Sequence, residues 1–131
     1  MALRARRLYL AFALYSAVLP VFAQPAEVQR TVLTRGDSST PDHESVVARV
    51  DIPAGASIGR HTHFGDEIGY VQEGDLEMHV DGEALRKLKA GDAFIIPEGK
   101  VHSARNLGNG TARVIVTYVI EKGKPLAVPV K

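Results

Sequence analysis

The chain has 131 residues, with 16 Lys and Arg, 15 Asp and Glu, five His and no Cys. This length corresponds to one domain, and the near balance of charges excludes the strongly basic surface of a nucleic-acid-binding protein. Because there is no cysteine, no disulfide can stabilise the fold, which depends on its core and on any contacts between subunits.

The first 23 residues have the layout of a cleaved export signal. Arg4, Arg6 and Arg7 precede an apolar run from residue 8 to residue 19, and Ala23 supplies a small residue at the cleavage point. The run is shorter than the roughly 20 apolar residues that a membrane-spanning helix needs. We therefore expect cleavage after Ala23, no stable membrane span afterwards, and a periplasmic or secreted protein.

The leader also bears on the export route and on the charge of the mature chain. The pair Arg6-Arg7 fits both an ordinary secretory signal and a twin-arginine leader, which would carry the chain across the membrane already folded. Removing the three arginines of the leader leaves 13 basic and 15 acidic residues, a formal charge of −2. We therefore expect no nucleic-acid partner.

Short apolar runs separated by Gly, Pro, Asp and Asn follow the leader. Their regular spacing, without any long amphipathic helix, is typical of an all-β sandwich or barrel. A polar loop is expected at residues 36–41. The predicted strands span, in chain order, residues 29–33, 45–52, 58–63, 67–72, 76–80, 84–88, 93–96, 101–106 and 113–121.

The last predicted strand, residues 113–121, is apolar on both of its faces. We expect one face to line the interior and the other to contact a covering segment or a second subunit. Contact with a second subunit would produce a homodimer that forms through a sheet. The alternative is burial of that face under the N-terminal strand of the same chain.

A cluster of potential metal ligands lies in the middle of the chain. His61 and His63 are two residues apart, so on a strand both side chains leave the same face. Neutral imidazole is the commonest metal ligand, and the carboxylate of Glu67 adds the negative charge that holds a divalent cation. His102 follows at the start of a later run. Asp66 would point to the opposite face from Glu67, so we interpret it as a solvated charge or a partner of a ligand histidine.

Two glycine-bounded stretches carry these four residues. They read Gly55-x5-His61-x-His63-x3-Glu67-x6-Gly74 and Gly91-x5-Pro97-x-Gly99-x2-His102-x3-Asn106. Every fixed position agrees with the paired signature of the cupin family, so the chain resembles a small single-domain cupin. Either stretch alone would be a weak signal, whereas the pair is specific.

The resemblance implies an all-β jelly-roll barrel, also called a double-stranded β-helix. It covers residues 45–121, which we assign to a single cupin domain, after an N-terminal strand and polar loop at 24–44. Residues 122–131 are predicted to form an extended tail. The resemblance also implies one divalent transition metal (Fe, Mn, Ni, Cu or Zn) held by His61, His63, Glu67 and His102.

Two classes of function are consistent with such a site. The first is a metal-dependent enzyme acting on a small oxygen-bearing substrate, with dioxygenase chemistry leading over isomerase, lyase or decarboxylase chemistry. Glu67 would then be catalytic if it left the metal to act as a base. The alternative is a non-catalytic binding module for a sugar acid or another polyhydroxy ligand. A storage protein is disfavoured because all four ligands are retained.

Four further residues are candidates for an acid or base, and one for a supporting role. The sequence does not place Tyr70, Tyr118, Arg49 or Arg105 relative to the expected cavity. Asn106 lies four residues after His102 and could either hydrogen-bond near the site or cap a turn.

Overall fold

The computed structural model describes residues 26–131, so the predicted export signal and its cleavage point lie outside the described residues. Within this range the chain forms ten β-strands and no helix, and thus no helix with the length and hydrophobicity to cross a membrane. The strands are β1 (Gln29–Asp37), β2 (His43–Ile52), β3 (Ser57–Thr62), β4 (Gly65–Glu73), β5 (Asp75–Val80), β6 (Arg86–Lys89), β7 (Ala93–Ile96), β8 (His102–Asn106), β9 (Ala112–Glu121) and β10 (Val128–Pro129).

The strands form two five-stranded antiparallel sheets. Their orders are β1-β2-β9-β4-β7 and β10-β3-β8-β5-β6, so neighbours within a sheet come from distant parts of the chain. The sheets enclose one hydrophobic core, because alternate residues of each strand face inward. Burying each large core side chain contributes about 1.5–3 kcal/mol. This architecture is the predicted jelly-roll barrel.

Strand β9 lies at the centre of the first sheet and shows the alternation clearly. Val114, Val116, Tyr118 and Ile120 are at most 3% exposed, whereas the residues between them are half-buried. β9 pairs with β2 on one side and with β4 on the other. The prediction of a strand with one face in the interior is confirmed.

Strand β1 is longer than predicted. It continues through Gly36 and Asp37, which pair with Ser45 and Glu44 of β2, so the predicted loop at 36–41 is in fact restricted to residues 38–42. The polar composition misled the sequence reading, because an edge strand is held by backbone hydrogen bonds and its side chains are all exposed.

The C-terminal segment is also more ordered than the predicted extended tail. Val128 and Pro129 form β10, which pairs with Thr62 and His61 of β3. Proline lacks a backbone donor but is tolerated on an edge strand, and this position is the edge of the second sheet. The tail therefore extends the second sheet by one strand beside β3, which leads into the metal-ligand cluster.

The outer face of the first sheet carries a row of apolar residues. Ile68, Tyr70 and Ile95 are 43%, 49% and 59% exposed, and they adjoin the half-buried outer residues of β9. Strand β1 pairs beside β2 and does not cover this face, so the alternative of burial under the N-terminal strand is wrong for the described residues. Homodimer formation through the sheet stays a prediction.

Candidate metal centre

Strand β3 leads the first two histidines to the interior. His61 lies near the end of β3 and His63 one residue beyond it, and they are 7% and 3% exposed. Their two-residue spacing places both rings on the inner side, as the sequence predicted. Glu67 is 6% exposed and lies on β4, opposite Tyr118 of β9.

Gly65 allows β4 to approach β9 closely just before Glu67. Its φ is +151°, and a Cβ atom at this position would lie 1.9 Å from the carbonyl oxygen of Val119. Such a contact is impossible for any residue with a side chain unless the backbone moves. The sequence reading did not single out this glycine, although it lies inside the first motif.

His102 begins β8 and stands directly opposite His61 in the register of β3 and β8. The turn before it is closed by Gly99, which has a φ of +72° and donates its N–H to the carbonyl of His63 over 3.2 Å. This backbone hydrogen bond connects the second motif to the first. Gly55, Gly74 and Gly91, which bound the two motifs, likewise have positive φ.

The structure brings all four predicted residues together. One potential ligand atom from each of His61, His63, Glu67 and His102 lies within 4.8 Å of the others, and all four residues are buried. The three imidazole rings have centroids 4.2–5.1 Å apart. Four buried donors around one point can bind a single ion.

Backbone carbonyls fix which nitrogen of each histidine faces that point. The Nδ1 atoms of His61 and His102 lie 2.7 and 2.9 Å from the carbonyls of Gly59 and Lys100, and the Nδ1 of His63 contacts the carbonyl of Leu126. A carbonyl only accepts, so each Nδ1 carries the proton. In the neutral rings the Nε2 lone pairs are then left to bind a cation, which is the usual orientation of ligand histidines.

The contacts of Glu67 test whether a cation fits. Its Oε2 lies 2.8 Å from Nε2 of His102 and 2.7 Å from Nε2 of His63. The second contact lacks hydrogen-bond geometry, so Nε2 of His63 is a buried nitrogen with no partner among the described residues. A carboxylate oxygen so close to lone-pair nitrogens requires a proton or a metal ion between them. The residues therefore fit a divalent metal.

The electrostatics of the metal-free cluster also favour an anionic Glu67. Burial acts to raise the pKa of Glu67, but the contacts with His102 and His63 outweigh it and lower the pKa to about 2. Burial lowers the pKa of His61 to about 4. For His102 burial is outweighed by the hydrogen bond with Glu67, and its pKa is raised. Burial, with the charge of Glu67, raises the pKa of Tyr118 to about 12.

A cavity of about 30 Å³ adjoins the cluster. By the same measure about two water molecules fit in such a space. His61, Glu67 and His102 form its polar wall, and Arg30 from β1 lies at its edge. The remaining lining is almost entirely apolar: Val50, Ile52, Ile58, Leu76, Met78, Phe94, Ala104, Val114 and Val116, with Tyr118.

Asn106 caps a turn and does not reach the cluster. Its Nδ2 donates to the carbonyls of Ile52 and Gly110, each over 2.8 Å, and its Oδ1 accepts the N–H of Gly108 over 2.8 Å. The residue is 1% exposed. Of the two roles left open by the sequence, turn capping is the one observed.

The remaining candidates divide between the interior and the surface. Asp66 is exposed on the outer face, as predicted, and accepts the N–H of Glu98 over 3.2 Å, so it is not a partner of a ligand histidine. Tyr118 is buried with its ring centroid 5.0 Å from that of His63. Tyr70, Arg49 and Arg105 do not line the cavity.

Two contributions to the site were missed by the sequence reading. Arg30 belongs to an edge strand without motif residues, and only its alternation with Val28 and Val32 hinted at an inward direction. The Leu126 carbonyl is a backbone group, so no residue type marks it in the sequence.

Comparison with known proteins supports this description. The family model for the cupin domain matches residues 48–118. The oxalate-binding protein of Thermotoga maritima is 34% identical over 74 residues, which cover 56% of this chain and 60% of that protein. Oxalate oxidase 2 of Hordeum vulgare is 32% identical over 78 residues, covering 53% of this chain and 39% of that enzyme. The chain thus spans less than two thirds of either relative.

Solved structures give the same result. An uncharacterized conserved protein with a double-stranded β-helix domain from Klebsiella pneumoniae is 31% identical to this chain. The similarity covers 82% of this chain and 90% of that one, with a TM-score of 0.63. With a family match over more than half of its length, an all-β jelly roll and a three-histidine, one-glutamate cluster, this chain belongs to the cupin family.

Proposed function

We propose that this chain is an exported metal-dependent enzyme that acts on a small oxygen-bearing organic substrate, with dioxygen-dependent oxidation as the leading chemistry. The single observation that carries the proposal is the convergence of four buried donors, one of them a nitrogen without a partner. Such a set is costly to bury unless an ion completes it.

His61, His63, Glu67 and His102 would hold the ion. Four protein ligands of nitrogen and oxygen type leave one or two positions open on a five- or six-coordinate metal, unlike the closed cysteine-rich sites of structural zinc. When bound, a divalent metal would polarise a substrate oxygen or, if it is redox-active, bring dioxygen and substrate together.

The residues of the chain supply orientation, charge and shielding from water. The carbonyls behind the three histidines fix the rings, and the apolar cavity wall excludes bulk water. The lowered pKa of Glu67 favours its role as an anionic ligand, and its predicted action as a base stays a prediction. Tyr118, with its pKa raised to about 12, keeps its proton at neutral pH and can donate a hydrogen bond to a bound substrate.

The named relatives support a small acidic ligand. One is called an oxalate-binding protein and another oxalate oxidase 2, and their matches cover 56% and 53% of this chain. The small cavity also supports a substrate of few atoms. A sugar acid or polyol is supported less well, because its hydroxyl groups would lie unpaired against apolar walls.

A non-catalytic binding module is the second candidate. One observation favours it. Apart from the four ligand residues, Tyr118 is the one described residue lining the cavity that has a shifted pKa. Its raised pKa makes it too weak an acid for proton transfer at neutral pH. Such a module would bind the same class of ligand and release it unchanged.

Metal analysis followed by an oxygen-uptake assay distinguishes the candidates. We expect about one divalent transition metal per chain in protein purified from its native compartment, and oxygen uptake with oxalate, other small acids, catechols or enediols. Glu67→Ala should abolish metal content and uptake, whereas Asp66→Asn, which removes the adjacent charge on the opposite face, should leave both unchanged. Saturable ligand binding without any product would identify the module, and absence of metal would refute both.

Export is tested separately by cell fractionation with mass spectrometry of the mature N-terminus. A periplasmic or secreted protein that begins after Ala23 is expected. An intact N-terminus in the cytoplasm would refute this part of the proposal.

A further inference from the structure

Among residues 26–131, Arg30 is the only Arg or Lys that lines the cavity beside the cluster. It lies on β1 opposite Val50, a buried residue of β2, so its side chain leaves the same face of the sheet as Val50, although Arg30 lies on an edge strand and is itself exposed. Its guanidinium carbon is 5.6 Å from the centre of the Tyr118 ring, which in turn packs against His63. Arg30 and His61 also border the shallow depression outside the cavity. Arg30 therefore borders both the cavity beside the cluster and the solvent-exposed depression outside it.

Arg30 lacks a carboxylate partner. Among residues 26–131 it forms no ion pair, and residues 1–25 contain no Asp or Glu that could supply one. Arg60, which borders the same depression, differs: two of its nitrogens lie 3.1 and 2.8 Å from the carboxylate oxygens of Asp81. The charge of Arg60 is thus matched within the protein, while that of Arg30 is available to a ligand.

The charges around the cavity favour an anion. Three neutral imidazoles, one carboxylate and a divalent ion sum to one positive charge, and Arg30 adds a second. The rest of the lining offers apolar side chains and the Tyr118 hydroxyl. A guanidinium pairs with a carboxylate through two parallel hydrogen bonds, which add directional specificity to the charge attraction.

We propose that Arg30 is the specificity-determining residue of this site. It binds the carboxylate of a small mono- or dicarboxylate whose remaining oxygen atoms reach the metal position. This inference rests on the proposed metal site and adds to it a ligand class and a residue outside both sequence motifs. The cavity of about 30 Å³ admits only part of even a two-carbon acid, so the ligand must be small and would extend from the metal position past Arg30 into the adjoining depression, which Arg30 and His61 also line.

Calorimetric titration of the metal-loaded protein tests the inference. After removal of free metal, the protein is titrated with oxalate and with oxamide, its uncharged diamide of nearly the same size. The variants are Arg30→Gln, Arg30→Lys and, as a matched control, Arg105→Gln. Arg105 is exposed and without an ion pair in the described chain, but it lies outside the cavity. Metal content and thermal unfolding are measured for each variant.

We expect oxalate to bind wild-type protein at least tenfold more tightly than oxamide. Arg30→Gln should weaken oxalate binding by about tenfold to a hundredfold, the range for hydrogen bonds to a charged group. Arg30→Lys should recover part of the loss, and Arg105→Gln should match the wild type. Metal content should be the same in all four proteins, because Arg30 is not a ligand.

Two groups of results would overturn different claims. Oxalate binding that is equal in wild type and Arg30→Gln, oxamide binding as tight as oxalate binding, or metal-loaded wild type that binds neither would refute the role of Arg30. These results would leave the metal site standing. A wild-type protein that takes up no metal would instead refute the proposed function, and elemental analysis detects this before any ligand is added.

Discussion

Replacing Glu67 by Gln should leave the free energy of unfolding of the metal-free protein nearly unchanged and should reduce the extra stability that a bound metal provides. The substitution keeps the shape of a side chain that is 6% exposed and removes its charge. In the metal-free protein the Gln amide can donate to a histidine Nε2 lone pair, and His102 can lose its proton once the carboxylate is gone. No buried charge is left unpaired, so we expect the free energy of unfolding to change by less than about 1 kcal/mol.

The effect on the metal-bound protein should be much larger. At a metal concentration about 1,000 times the dissociation constant, binding stabilises the folded state by about 4.1 kcal/mol. Substituting a group that only supports a ligand lowers metal affinity by about 10- to 100-fold, so loss of a charged ligand should cost at least about 100-fold. At the same metal concentration the stabilisation would fall to about 1.4 kcal/mol, a difference of about 2.7 kcal/mol. For a domain of about 100 residues this corresponds to a Tm difference of roughly 10–20 °C.

Thermal unfolding followed by calorimetry, with and without added metal, measures both effects. Asp66→Asn is the matched control, because it removes the neighbouring charge from the outer face and keeps the oxygen that accepts the N–H of Glu98. Metal should raise the Tm of wild type and Asp66→Asn by the same amount. If metal stabilised Glu67→Gln as strongly as wild type, Glu67 would not be a ligand and the four-donor site would be disproved.

Three further changes test other parts of the structure. Asn106→Ala removes three hydrogen bonds and leaves their backbone partners unpaired, so the free energy of unfolding should fall by about 3–5 kcal/mol. Urea titration measures this loss, and a loss below about 1 kcal/mol would contradict the capping role. Deleting residues 126–131 removes the carbonyl behind His63 and should weaken metal binding by about 10- to 100-fold in competition with a chelator, whereas deleting Lys131 alone should have no effect. Asp51→Asn should cost about 1 kcal/mol at pH 7, because Asp51 pairs with two arginines. Because the pKa of Asp51 is lowered, its stabilising contribution is present above pH 3.8 and is lost as the pH falls below that value. The free energies of unfolding of wild type and Asp51→Asn should therefore converge in acid. A difference that stays constant with pH would refute the pairing of the Asp51 carboxylate with the two arginines.

The sequence predicted the site better than it predicted the boundaries of the fold. His61 and His63 are recognisable because strand geometry forces residues two apart onto one side, and Glu67 because β4 alternates strictly. Both signals are local and depend on side-chain type. The seventh predicted strand, 93–96, matches β7 for the same reason: its flanking Gly91 and Pro97 mark both ends.

Features that depend on pairing between distant backbone segments were not predictable in this way. β1 extends to Asp37 because it pairs with β2, and β10 forms at Val128 because this segment pairs with β3. An edge offers unpaired N–H and C=O groups to any segment that reaches it, whatever its side chains. Arg30 was missed for a related reason, since its direction follows from the register of β1 with β2 and not from any motif.

The contact between His63 and the Leu126 carbonyl makes the cluster a product of both halves of the polypeptide. Leu126 lies 63 positions after His63, so an ion bound at the cluster would link segments that are far apart in the sequence. Chemical labels or tags placed next to residues 126–131 should therefore be avoided in metal-binding assays, because they would lie beside the segment that supports the His63 ring.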